Sequence, residues 1–380
     1  MDGYSITDPI PNIPVILASK MLNRHIGRVT KITTDRSAVQ ELIVEIDGTA
    51  SCAVNYPPLT GTVENGDEVL LNTTAVDLGL GTGGAHFVIA NLSRPAQETE
   101  PTPGHIMKLR YTPLQHAVLS IEEDDSLYSE AMRDFESLEG MPVICAELHS
   151  QIAPAAAAVK ALAGHKRRVA YVMTDGAALP IGLSRLVVEL RDKSLLDSTI
   201  TAGQAFGGDI EAINIYSALI AAKQVVEADV VIVSQGPGNA GTGTKYGFSG
   251  LQQGEAANAT RILGGTPVIV PRISWADPRE RHRGVSHHTR TVLGEIALAP
   301  SVVALPLLRE DRLQHVEAEL ASALRWCGHE TRIMDGEPGL KELADKGIRV
   351  TTMGRSVDED REFFLAASAA GAVAAELLSE

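Results

Sequence analysis

Residues 279–290, Arg-Glu-Arg-His-Arg-Gly-Val-Ser-His-His-Thr-Arg, place four arginines and three histidines within twelve positions. Their formal charge is +3 (four Arg against one Glu), in a chain whose net charge is -15. A core does not collect such groups, because a buried guanidinium without a partner is costly. A solvated helix face mixes lysine with glutamate instead of gathering Arg, His and Ser around one glycine. The segment therefore reads as a site that grips something anionic. Arg281, His282 and Arg283 are candidate ligand-binding residues, and His287 and His288 candidate acid–base groups, since imidazole titrates near neutrality.

The spacing of Val292, Leu293, Ile296 and Ala297 is helical, and Ser286 suits the N-cap of that helix. His287 and His288 then fall in its first turn, where free N–H groups and the helix dipole favour an anion. Adjacent imidazoles are not expected to share a face, and the zinc-protease spacing is absent. A metal site would need His282, one histidine of the pair and a distant carboxylate such as Asp175, Asp209 or Asp277. The sequence assigns no metal and no cofactor.

Chemistry of this kind needs a frame. From about residue 115, strand-like runs at 116–121, 142–148, 168–173, 198–202, 229–234, 267–273, 301–306, 330–334 and 348–352 alternate with helical patterns. The helical patterns are 153–163, 183–193, 211–227, 250–263, 316–326 and 358–378. Near-continuous apolar strands such as 228–233 imply burial on both faces, hence a mostly parallel, doubly wound sheet. Ligands of such sheets bind beyond the strand carboxyl ends, where the polar loops here fall.

The loop after 229–234 carries Gly236, Gly238, Asn239, Gly241, Thr242, Thr244 and Lys245. Its glycines match the dinucleotide fingerprint only weakly, with no helix directly after and no acidic residue closing the next strand. What remains is an anion cradle of backbone N–H groups, two hydroxyls and one lysine, or a plain flexible loop. Ser249 reads as a cap of the following helix and Asp209 as a cap of 211–227, also reaching the crevice. Asp175 follows a buried strand directly and is expected to face that crevice, orienting a histidine or binding a divalent ion. One crevice lined by Asp175, Asp209, Asn239, Lys245, Arg283, His287 and His288 is the expectation, with Lys245 and Arg283 as clamps.

Residues 27–92 read differently, as short strands with turns at Asp47-Gly48 and Asn65-Gly66-Asp67, which suggests a small barrel or sandwich. The segment 93–105 has three prolines and linker composition. The expected domains are thus 1–105, linker included, and 106–380. The glycine-rich loop 79–84, with His86 beside it, is expected to reach the crevice wall; a mobile turn is the plainer reading.

Hydrophobic residues make up 44% and charged ones 21%, which is globular composition. A pI near 5.2 disfavours nucleic acid and anionic membranes as partners, but not a local basic pocket for a small anion. Cys52, Cys145 and Cys327 are too few and too scattered for a disulfide framework or a thiolate metal site. No run is long enough to span a membrane, and the first twenty residues do not make a signal peptide, so a cytoplasmic location is expected. A homo-oligomer stays open.

Two segments, Gly-Asp-Glu-Val-Leu-Leu-Asn-Thr-Thr-Ala at 66–75 and Arg-His-Arg-Gly-Val-Ser-His-His-Thr at 281–289, resemble a bacterial family, Domain of Unknown Function 3866. The resemblance covers most of the chain and both domains, and implies no activity, cofactor or catalytic residue. The residues themselves point to an enzyme acting on a small phosphorylated or carboxylated metabolite. The alternative is a non-catalytic protein that senses a ligand or binds a partner.

Overall fold

The computed structural model describes residues 22–80, 83–94 and 103–380. Gly81 and Thr82 of the glycine-rich loop, and 95–102 of the proline-rich segment, lie outside the described residues. The chain divides into two compact units at residue 98.

The first unit is a closed barrel of β1 (Arg24–Arg36), β2 (Val39–Ile46), β3 (Thr49–Asn55), β4 (Glu68–Asn72) and β5 (Ala85–Asn91), ordered β1-β2-β3-β5-β4. Asp47 and Gly48 join β2 to β3 with φ of 49° and 78°, the positive pair that a two-residue hairpin turn requires. Alternation sends Val29, Leu42, Val44, Ala53, Val69, Leu71 and Val88 into the barrel core.

The second unit is built on eight parallel strands. They are β6 (Pro142–Cys145), β7 (Val169–Thr174), β8 (Ser198–Ala202), β9 (Ile210–Ala212), β10 (Val230–Gln235), β11 (Thr266–Ile269), β12 (Val302–Pro306) and β13 (Glu330–Met334). Their order across the sheet is β9-β8-β7-β10-β6-β11-β12-β13. Helices α1 (Ile152–Ala163), α2 (Arg185–Asp192), α7 (Glu337–Asp345) and α8 (Arg361–Leu377) pack on one face. Helices α3 (Ile215–Gln224), α4 (Gln252–Ile262) and α6 (Glu310–Cys327) pack on the other. Strands β6, β7, β10 and β12 are buried along their whole length, which is why β6 and β12 read as unbroken apolar runs and β7 and β10 turn polar only at their carboxyl ends, Thr174 and Ser234-Gln235. The doubly wound reading is correct.

Three expectations change in detail. Residues 116–118 leave the parallel sheet and pair antiparallel with 106–108, placing the Lys108 ammonium on the carbonyls of Gly203, Ala205 and Ala212. The pattern read as one helix over 211–227 splits into β9 and α3, with Asn214 capping the helix in place of Asp209. The run at 348–352 yields only a two-residue strand paired with 355–356.

Helices α1 and α8 are alanine-rich because they press together almost backbone to backbone. A Cβ at Gly371 would overlap the carbonyl oxygen of Ala155. Gly371→Ala is therefore expected to destabilise the protein by about 1–3 kcal/mol, despite alanine's better helix propensity. Thermal unfolding checks this; an unchanged or raised Tm would mean that the helix pair can separate cheaply.

Candidate functional site

Strand β6 lies between β10 and β11, and its connection leaves toward the α1 face while theirs leave toward the α4 face. The carboxyl end of β6 is thus a topological switch point, where an open crevice forms. Two residues beyond the end of this strand stands Glu147, and its side chain is wholly buried. One oxygen, Oε1, accepts from His288 Nδ1 at 2.5 Å, from Asn239 Nδ2 at 3.3 Å and from Arg272 Nη1 at 3.4 Å. The other, Oε2, is buried with no hydrogen-bond partner among the described residues.

Arg272 extends this contact into a lattice. Its Nη2 donates to Asp277 at 3.2 Å, and Asp277 also takes a two-pronged grip from Arg279, at 2.9 and 2.8 Å. Arg355 bridges Asp277 at 3.5 Å and Asp360 at 2.9 Å. Three carboxylates thus face three guanidiniums, and their formal charges cancel. Burial alone would raise the Asp277 carboxyl; the hydrogen bonds and charge of Arg279, with Arg272, hold it far below the usual carboxylate range. Burial likewise works against the Glu147 anion, but His288 and Arg272 outweigh it and its pKa is lowered.

The chain folds back on itself to deliver the histidines. Residues 273–274 pair antiparallel with 284–285, between a single helical turn at Glu280–His282 and the short helix α5 (His287–Thr291). Gly284, at φ 68°, is needed there because a Cβ would strike the Glu319 carboxylate. Ser286 caps α5 by accepting the His288 N–H, as its position indicated. An immediate π-turn over Val292–Ile296 follows. The rings of His282, His287 and His288 then meet, with centroids 4.4 to 5.0 Å apart.

This corrects the expectation that His287 and His288 diverge. They sit at the start of a five-residue helix, and long imidazoles of adjacent residues can turn toward one another around His282. Phe248 stacks on the His288 ring at 3.7 Å, and Ser286 Oγ is 2.7 Å from His282 Nδ1. His287 Nε2 is buried without a partner among the described residues. Burial first, then the arginines and His288 nearby, push His282 down to about 3; burial, His288 and Arg281 push His287 down to about 4. Both rings are neutral at pH 7.

Two cavities open on either side of the cluster. The smaller, about 100 Å³, is lined by Asn239, Gly241, Thr242, Arg272, Arg281, His282 and His288 among others. The larger, about 770 Å³, has His287 in its wall with Lys245, Arg290, Glu295, Arg325 and Trp326. Among the described residues Arg281 and Arg325 have no carboxylate partner.

The remaining candidates scatter. Asp175 lies on a separate cavity of about 220 Å³ with Gly203, Asn214 and Gln252, where its Oδ2 accepts the Gln204 N–H at 2.8 Å. Asp209 pairs with Arg191 and accepts the Thr199 N–H at 2.8 Å, near the amino end of β8 and so at the opposite edge from the histidines. Lys245 is exposed and paired with Glu295, and Arg283 is exposed and lines neither of the cavities beside the histidines. Gly236 is required by packing, since a Cβ would meet the Ala178 carbonyl; Gly238 takes φ of 101°. Thr242 and Thr244 bond each other at 2.8 Å, and Ser249 caps no helix but holds Asn239 Oδ1 at 2.7 Å.

Sequence reasoning missed Glu147 and Arg272. The run read as a strand over 142–148 ends at Cys145, and absorbing Glu147 into it hid a lone acid at a strand carboxyl end. That position was the available signal.

A closed β barrel followed by a doubly wound α/β unit, with a histidine–arginine cluster at the sheet's switch point, defines the class of fold. The chain belongs to the family described as Protein of unknown function (DUF3866), whose pattern matches residues 52–371. No curated protein matches it. Among the described residues no helix is long and apolar enough to cross a membrane.

Proposed function

We propose that this protein is an enzyme acting on a small phosphorylated or carboxylated metabolite at the carboxyl edge of its parallel sheet. The observation that carries the reading is the histidine cluster standing between two cavities, each holding an arginine without an acidic partner. Arg272 and Arg279 are already neutralised by Glu147 and Asp277, so they shape the wall; Arg281 and Arg325 keep their charge for a ligand. The larger cavity has the volume of a small-metabolite site. Glu147 replaces Asp175 as the carboxylate that orients a histidine. The three cysteines are free, which suits a reducing, bacterial cytoplasm.

Calorimetric titration with inorganic phosphate and with small carboxylates tests the site. Arg281→Ala or Arg325→Ala is expected to weaken anion binding roughly 10–100-fold, as loss of a charge-assisted hydrogen bond does. Affinity unchanged in both variants would defeat the reading. Turnover lost in His288→Ala, with affinity kept, separates catalysis from sensing.

A further inference from the structure

We propose that His282, His287 and His288 form a three-histidine site for a divalent transition metal, with Glu147 as the buried carboxylate that fixes His288. This deepens the reading above, since it concerns the same cluster, but it stands on separate observations. One nitrogen from each ring lies within 4.8 Å of the other two. A tetrahedral ion with bonds of about 2.0–2.1 Å needs its ligand nitrogens about 3.3 Å apart. A pair at that 4.8 Å limit would have to close by about 1.5 Å to reach tetrahedral spacing.

The outer contacts select the nitrogens. His288 Nδ1–H donates to Glu147 and His282 Nδ1 is engaged by Ser286, which leaves Nε2 as the ligand atom of each ring. His287 Nε2 is buried and has no hydrogen-bond partner among the described residues. A buried, unpartnered ring nitrogen is costly in an empty site and satisfied by a metal. The carboxylate–histidine pair is the arrangement that orients a metal-bound imidazole and raises its basicity.

The surrounding arginines do not argue against a cation. Glu147, Asp277 and Asp360 cancel Arg272, Arg279 and Arg355, so only Arg281 adds a positive charge at the smaller cavity. Three imidazole ligands without a carboxylate ligand favour zinc, cobalt or ferrous iron over magnesium or calcium. Such a set leaves a fourth position for water or an anion, which is the composition of a catalytic rather than a structural site.

The test uses the full chain, freed of metal with a chelator and titrated with Zn²⁺ and Co²⁺ in the absence of phosphate or carboxylate. The expected result is a single bound equivalent, with visible d–d absorption for Co²⁺ showing nitrogen ligation. His287→Ala, whose Nε2 supports no other group, should lose far more than the 10–100-fold that loss of an outer partner typically costs. Glu147→Gln should weaken binding by roughly that 10–100-fold while leaving the ligands in place. Failure of the folded wild-type chain to bind either ion, or equal affinity in wild type and His287→Ala, overturns the metal site. Phosphate binding measured on the metal-free sample then decides the anion reading independently.

Discussion

Arg272→Leu should lower the stability of the α/β unit by about 3–5 kcal/mol, the loss seen when one partner of a buried ion pair is removed. Arg272 is the member that touches both Glu147 and Asp277, and both carboxylates are wholly buried. Asp277 would keep Arg279 and Arg355. Glu147 would keep only His288 and Asn239, with a second oxygen that has no partner already. The backbone at 272 is bonded to Thr289 and Ser286 and is unaffected by the change. Arg272→Lys should recover part of the loss, because an ammonium restores charge but cannot bridge two carboxylates as a planar fork does. Urea unfolding at pH 7 measures both, and a loss below about 1 kcal/mol in Arg272→Leu would show that Glu147 does not depend on this guanidinium.

The metal-free protein should also be distinctly acid-sensitive, beginning above the carboxylate range. His149, bonded to the Tyr171 and Ser184 hydroxyls, is pushed by burial down to about 4; His282 lies at about 3 and His287 at about 4. Each folded value lies below the ordinary 6.5, so the unfolded chain binds protons first. Their stabilisation is complete above pH 6.5 and is lost as pH falls, down to about 4 for His149 and His287 and about 3 for His282. For the wholly buried His282 this reaches up to about 2 kcal/mol at pH 5. Asp277 and Glu147, both lowered, add their own loss at still lower pH. Glu211, raised by burial, works in the opposite sense but is a single group. Tm recorded at pH 7, 6 and 5 checks the sign; a flat profile would mean that these rings protonate freely in the folded chain.

Much of the frame was legible because burial writes itself into composition. Runs such as 228–233, nearly all apolar and buried on both faces at 230–233, announce a parallel sheet, and Asp47-Gly48 announces a hairpin of the barrel. Ser286 could be read as a cap from its place before an apolar period. Less of the site was legible. Which loops meet depends on strand order, and the insertion of β10 between β7 and β6 is a tertiary fact with no local mark. It brings Asn239 to Glu147 and leaves Asp175 on another cavity. Asp209 failed for a similar reason, because a three-residue strand interrupts what looked like one helix. Lys245 was found as a charge, but its neutralisation by Glu295, fifty positions on, could not be.

The carboxylate–guanidinium lattice has a consequence for how the molecule is made. Its members span positions 147 to 360: Glu147 follows the first parallel strand, and Asp360, which binds Ser274 across 86 residues, precedes the last helix. His288 reaches Glu147 across 141 residues. A chain that has reached residue 279 carries Glu147 and Asp277 against Arg272 and Arg279, an even count, and the remaining pair, Arg355 and Asp360, follows within five residues of each other. Contacts of such long range close late, after the entropy of the intervening loops has been overcome. The lattice is therefore built from two neutral groups made at different times, the second joining Asp277 through Arg355 to the segment before the last helix.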